Sequence, residues 1–172
     1  MQNWKAVVEY DGTAYLGFQI QKRGATIQGE LERALKEVTG QASRVAGAGR
    51  TDTGVHARGQ VISFQSDWRR DAAELWRALN ARLPDAIALK SLEVAAEDFH
   101  ARYSAVSRTY RYTLLNRETR APLAERYALR VGPPLDERRM DEARAVLMGE
   151  HDFCTFGSAT HGEITIRRVL RT

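Results

Sequence analysis

The sequence contains one cysteine, Cys154, in 172 residues. That excludes an internal disulfide framework and a zinc site built from several thiolates. Its four prolines all fall outside the periodic segments described below. No apolar run approaches the ~18 residues of a membrane span. The N-terminus, Met1-Gln2-Asn3-Trp4-Lys5, lacks a basic stretch followed by an apolar core, so no secretory signal is expected and the cytosol is the default compartment. His56, His100, His151 and His161 include no i,i+4 pair, and no H-x-E with C-x-x-C occurs, which argues against a zinc deaminase.

What is present fits a globular chain of about one domain. The composition is 43% hydrophobic and 28% charged, enough apolar surface to offset ordering entropy. The net charge is only +4, but its distribution is uneven. Residues 101–130 hold seven arginines (102, 108, 111, 117, 120, 126, 130) against Glu118 and Glu125. Tyr103, Tyr110, Tyr112 and Tyr127 are interleaved with them. Guanidinium groups beside aromatic rings suit phosphate contact and base stacking, so a nucleic acid is a natural partner. A solvated arginine face is the plainer reading.

Residues 4–10 (WKAVVEY) read as a strand from their β-branched and aromatic content. Ile27, Leu31, Leu35 and Val38 mark one face of a helix over 26–39, with Thr26 as cap and Gly40 as stop. A strand at 43–48, a turn-rich stretch at 49–58 and a strand at 59–65 follow. Asp71 caps a helix through Arg82, with Ala72, Leu75 and Leu79 inward, and 86–94 reads as a strand. This α+β order, βαββαβ, is the ferredoxin-like unit: a mainly antiparallel sheet with both helices on one face and the other face free. It occupies 1–105. The segment 106–172 reads as the start of a second α/β unit that is incomplete. Its expected elements are a strand at 107–115, a helix capped by Asp136 with Met140, Ala143 and Leu147 on one face and Gly149 at its end, and a strand at 163–171. Two of Tyr103, Tyr110 and Tyr112 are expected in the core, as is Cys154 between Phe153 and Phe156.

The densest unusual stretch is Gly47-Ala48-Gly49-Arg50-Thr51-Asp52-Thr53-Gly54-Val55-His56. Three glycines in eight residues let the backbone turn sharply. No Gly-Lys-Ser/Thr follows, so it is not a P-loop, and Asp52 replaces the third glycine of a dinucleotide fingerprint. Two readings stay open. Asp52 caps a turn and Arg50 forms a surface pair, or Asp52 is a nucleophile or base that Arg50 holds in place. An aspartate, ionised at neutral pH, needs no activating base and suits electron-poor carbon such as an anomeric centre or a conjugated pyrimidine.

GAGRTDTGVHARGQV (47–61) resembles the signature of the tRNA pseudouridine synthase A family. YDGTAYLGFQIQ (10–21) and FHARYSAVSRTYRY (99–112) resemble two further blocks of that family in order and spacing, and GEHDFCTF (149–156) is a weaker match. The resemblance runs from about residue 4 to the end. It implies the pseudouridine synthase fold and a homodimer that isomerises uridines to pseudouridine in the tRNA anticodon arm without metal or cofactor. It assigns Asp52 as the catalytic aspartate. Arg50 becomes its paired arginine, which helps hold the target base out, and Tyr110 the residue that stacks on the flipped uracil. Gln19, Arg58, Arg102 and Arg108, inside the matching blocks, become candidate RNA contacts. Asp52 would act at C1′, at C6, or by aiding removal of the C2′ proton. The family's further strand and helix with a Y-H-M-x-R-like block has no counterpart here, which marks the chain as a C-terminally shortened member. The alternative is an RNA-binding module without turnover. An Asp-dependent hydrolase of small substrates would leave the arginines and tyrosines unexplained.

Overall fold

A computed structural model of the chain describes residues 1–156 and 166–169, the side chains of 166–168 excepted. The chain forms two compact units, Met1–Arg111 and Tyr112–Thr172.

The first unit runs β1 (Gln2–Tyr10), α1 (Ile27–Thr39), β2 (Ala46–Gly47), β3 (Ala57–Ser66), α2 (Ala72–Asn80) and β4 (Ile87–Val94). The strands lie in the order β2-β3-β1-β4, every neighbouring pair antiparallel. This is the ferredoxin-like arrangement expected from the element order. Along β1, Trp4, Ala6, Val8 and Tyr10 are buried while Glu9 is exposed. Phe64 and Ile62 of β3 lie opposite Trp4 and Ala6. Ile27, Leu31, Ala34 and Leu35 of α1 and Leu75 and Leu79 of α2 join the same core, so both helices cover one face. Full burial of each such Leu or Ile is worth about 1.5–3 kcal/mol, so this layer is the rigid scaffold behind the loops.

Local chemistry sets the element ends. The Gly29 amide donates to the Thr26 hydroxyl oxygen at 3.2 Å at the start of α1, and Gly40, at φ 74°, closes it. Helix α2 stops at Asn80, two residues before the expected Arg82. The Asn80 amide there exchanges hydrogen bonds with the Leu89 backbone at 2.9 and 3.1 Å, tying α2 to β4.

Three expectations for this unit need correction. β2 is two residues long, not 43–48, because on its N-terminal side bonds through side chains replace the ladder. The Val45 amide donates to the Glu32 carboxylate at 3.0 Å, and the Ser43 hydroxyl donates to the Gln65 carbonyl. The sheet face opposite the helices is partly covered, not free. The Asn3 amide donates to the Ala96 and Phe99 carbonyls at 2.7 and 2.9 Å, and the buried Ala101 donates its N–H to the Ser63 hydroxyl at 3.1 Å. Finally, 107–113 is not a strand. Tyr103, Tyr110 and Tyr112 are 78%, 65% and 91% exposed, so none is core. Alternation there has no sheet face to bury against; the Arg108 side chain holds the segment at one end, and the Leu129 amide donates to the Thr113 carbonyl at 2.9 Å.

In the second unit β5 (Leu114–Asn116) and β6 (Leu129–Val131) pair in parallel. Helix α3 (Glu137–Leu147) follows. β7 (Gly149–Asp152) then pairs antiparallel with β8 (Ile166–Val169). The Arg139 amide donates to the Asp136 carboxylate at 3.1 Å, the expected cap. Gly149, at φ 100°, opens β7 and does not close the helix, whose cap residue Met148 is extended. Met140 and Leu147 are exposed. Cys154 is half-buried in a 3₁₀ turn over Cys154–Phe156, less enclosed than expected. Of the strand expected at 163–171, residues 163–165 and 170–171 lie outside the described residues. Among the described residues, no helix is long and apolar enough to cross a membrane.

Candidate active site

The loop between β2 and β3 carries Arg50 and Asp52, and the segment after β1 wraps against it. The Phe18 amide donates to the Thr51 carbonyl at 2.9 Å, and the Gly54 amide to the Tyr15 carbonyl at 3.3 Å. Within the loop, the Val55 amide donates to the Asp52 carbonyl at 3.2 Å, a turn that Gly54 completes at φ 78°.

This packing is too close for side chains at two glycines. A Cβ on Gly12 would lie 2.0 Å from the Val55 carbonyl oxygen. One on Gly17, at φ +89°, would lie 2.5 Å from the Thr51 carbonyl oxygen and 3.1 Å from the Asp52 carbonyl carbon. The Gly12 amide also donates to Nδ1 of His56 at 3.1 Å. The same nitrogen is 3.1 Å from an Asp11 carboxylate oxygen. His56 therefore ties the two segments together, the structural role that lone histidines usually have.

A cleft of about 340 Å³ opens here, walled by Gln19, Ile20 and Gln21 on one side and Arg50, Thr51, Asp52 and Thr53 on the other. That is at the small end of ligand pockets, with room for a nucleobase. Asp52 and Arg50 are both exposed. The expected Arg50–Asp52 pair is not formed: among the described residues no ion pair or hydrogen bond joins them. The separate pinning of Thr51 and Gly54 holds the loop without it, leaving carboxylate and guanidinium on the cleft wall.

Beneath the loop lies Tyr10, 3% exposed. Its hydroxyl shares a 2.8 Å hydrogen bond with the Thr51 hydroxyl. Burial, the largest influence, pushes the Tyr10 phenol above its ordinary range, outweighing the opposing hydrogen bonds. The Gln60 amide donates to the Gly49 carbonyl at 2.5 Å.

Tyr110 sits beside the same loop. Its hydroxyl would be 3.5 Å from a Cβ on Gly49, with the Arg108 Cδ at 3.4 Å. Arg108 acts as a strut: Nε donates to the Ala48 carbonyl at 2.7 Å and Nη2 to the Arg102 carbonyl at 3.1 Å. The Arg102 guanidinium lies 5.8 Å from the Tyr103 ring centre, and the His100 ring lies tilted against that ring, 4.5 Å between centres. Arg58 is exposed on β3, where its carbonyl accepts from Lys90 at 3.1 Å. Of the sequence-derived candidates, Gln19, Arg50 and Asp52 share the cleft; Tyr110 and Arg108 flank its loop through Gly49, and Arg58 and Arg102 do not line it. His161 lies outside the described residues.

Among the described residues no three His, Cys, Asp or Glu side chains are grouped to hold a metal ion.

A family model described as tRNA pseudouridine synthase matches residues 6–104, more than half of the chain. The chain belongs to the tRNA pseudouridine synthase family. It is 43% identical over 170 residues to the tRNA pseudouridine synthase A of Thermoanaerobacter sp., covering 98% of this chain and 70% of that protein. Its identity to the namesake protein of Brevibacillus brevis is 44% over 171 residues, with coverage of 98% and 70%. For that of Streptococcus equi it is 44% over 160 residues, 92% of this chain and 64% of the relative. The family match spans the loop and the segment wrapped against it, and the relatives' match also takes in 108–110.

Sequence reasoning passed over Tyr10, Gly12, Gly17, Thr51 and Gln60. Tyr10, Gly12 and Gly17 stand in the YDGTAYLG stretch (10–17). The signal available was its two glycines, each ready to admit a second backbone.

Proposed function

We propose that this chain isomerises uridine to pseudouridine in the anticodon arm of tRNA, with Asp52 as the attacking carboxylate on a uridine turned out of its stack. The observation that carries this reading is a carboxylate with no side-chain partner among the described residues, fixed by its backbone on the wall of a nucleobase-sized cleft. Family membership supports the same substrate class.

The reaction breaks N1–C1′ and joins C5 to C1′; the C5 proton is lost and N1 gains one, so atoms balance without a co-reactant. Extruding the base costs a few kcal/mol, which stacking offsets. Tyr110, largely exposed beside Gly49, is suited to stack on that base. Arg50 is suited to hold the emptied position or the adjoining phosphate. Asp52 then attacks C1′ or C6, or assists removal of the C2′ proton; all three need an ionised, unpaired carboxylate. Gln19 on the opposite cleft wall offers an amide to the uracil edge. Arg58, Arg102 and the remaining nitrogen of Arg108 are proposed to meet the RNA backbone. The first unit then carries the catalytic loop, and the family resemblance extends the proposal to a cytosolic homodimer.

The test is incubation of the chain with an anticodon-arm RNA and with full tRNA, followed by nucleoside analysis. Pseudouridine formed in stoichiometric excess over protein supports the proposal. Tight binding with no product would replace it with an RNA-binding module.

A further inference from the structure

We infer that Tyr10 and Gln60 form a clamp beneath the loop that sets the position of Arg50 and Asp52, which makes both of them positioning residues. This rests on the reading of Asp52 as nucleophile. Gln60 grips the Gly49 carbonyl, immediately before Arg50, at 2.5 Å. Tyr10 grips the Thr51 hydroxyl, between Arg50 and Asp52, at 2.8 Å.

The clamp is anchored in the rigid part of the fold. Tyr10 ends β1 and lies in the core cluster. Its ring is 6.4 Å from that of Phe18, itself 3% exposed. Gly47, just before the loop, presses on Phe18 so closely that a Cβ there would lie 2.6 Å from its ring. Gln60 pairs with Val8, and Tyr10 lies two residues along β1 from Val8, so both side chains belong to the helix-covered face. A buried hydroxyl and amide here do more than fill space. Leu or Phe would pack as well, but only polar groups can hold a hydroxyl and a carbonyl at fixed points on either side of Arg50.

The decisive experiment measures kcat and KM on tRNA, with melting temperature alongside, for Tyr10→Phe, Thr51→Val, Thr51→Ser, Gln60→Leu and Asp52→Ala. Tyr10→Phe and Thr51→Val should each lower kcat about tenfold, with KM within about twofold of wild type, since one hydrogen bond positions the loop. Thr51→Ser, which keeps the hydroxyl, should restore kcat. The Tyr10→Phe/Thr51→Val double variant should be no worse than either single one. If Asp52→Ala is inactive while Tyr10→Phe and Thr51→Val both keep kcat within twofold, the clamp does not position the loop. A loss confined to KM, or an additive double variant, overturns it equally. Ordinary turnover by Asp52→Ala sinks the underlying reading instead.

Discussion

Gly12 and Val55 meet backbone to backbone: the space where a side chain on Gly12 would begin lies 2.0 Å from the Val55 carbonyl oxygen. The contact joins the turn after β1 to the loop that bears Asp52. Gly12→Ala must therefore push the two segments apart. The expected cost is about 1–3 kcal/mol of stability, as for other overpacked sites, together with a large loss of turnover. Gly17→Ala should behave alike, since its backbone is left-handed and its Cβ would strike Thr51. Urea unfolding midpoints and pseudouridine yields check both. Unchanged stability in Gly12→Ala would mean that the contact is looser than described.

Tyr110 yields a second prediction. Phe keeps the ring and loses only the hydroxyl, so Tyr110→Phe should retain much of the affinity for RNA, whereas Tyr110→Ala should lose roughly 1–3 kcal/mol of stacking. Equilibrium binding to anticodon-arm RNA separates the two. A larger binding loss from Phe than from Ala contradicts the stacking role.

Much of this was legible in the sequence, and the limits have physical causes. The βαββαβ order followed from the helical spacing of α1 and α2, each of which buries one face, and from strand signals such as the β-branched and aromatic run of β1. The segment 107–113 alternated without a sheet to bury it, and the pattern alone could not supply one. β5, β6 and β7 are three or four residues long and too short to carry a period. Asp52 stood out because a carboxylate among glycines is chemically odd. Tyr10 and Gln60 did not, because they look like strand residues until β3 brings Gln60 beside Tyr10. The absence of an Arg50–Asp52 bond was beyond reach: spacing permits the pair, and only the loop's actual course decides it.

A third prediction concerns alkaline pH. Burial raises the phenol of Tyr10, and also that of Tyr15, above the ordinary value. Folding thus favours the protonated phenols. Their stabilisation is complete below the unfolded value of about 10 and is lost as pH rises through the higher folded values. Denaturation midpoints should fall above about pH 10. Tyr10→Phe, with nothing to ionise, should show a shallower fall, and an equal slope in both proteins would count against the burial described.

Ionic strength provides a fourth. Binding of tRNA should weaken linearly on a log–log plot as salt rises, each neutralised phosphate contributing about 0.7–0.9 to the slope. Arg102→Ala should lower that slope by roughly one unit if its exposed guanidinium meets a phosphate. Asp52→Ala should leave it alone. An unaltered slope in Arg102→Ala removes that residue from the interface.

The most direct measurement is the single-turnover rate of pseudouridine formation by Asp52→Ala at saturating tRNA, alongside its dissociation constant. Chemistry should fall by roughly three orders of magnitude or more, because the attacking group is gone, while affinity stays within a few-fold of wild type. A variant that still converts uridine at the wild-type rate would contradict the assignment of the nucleophile.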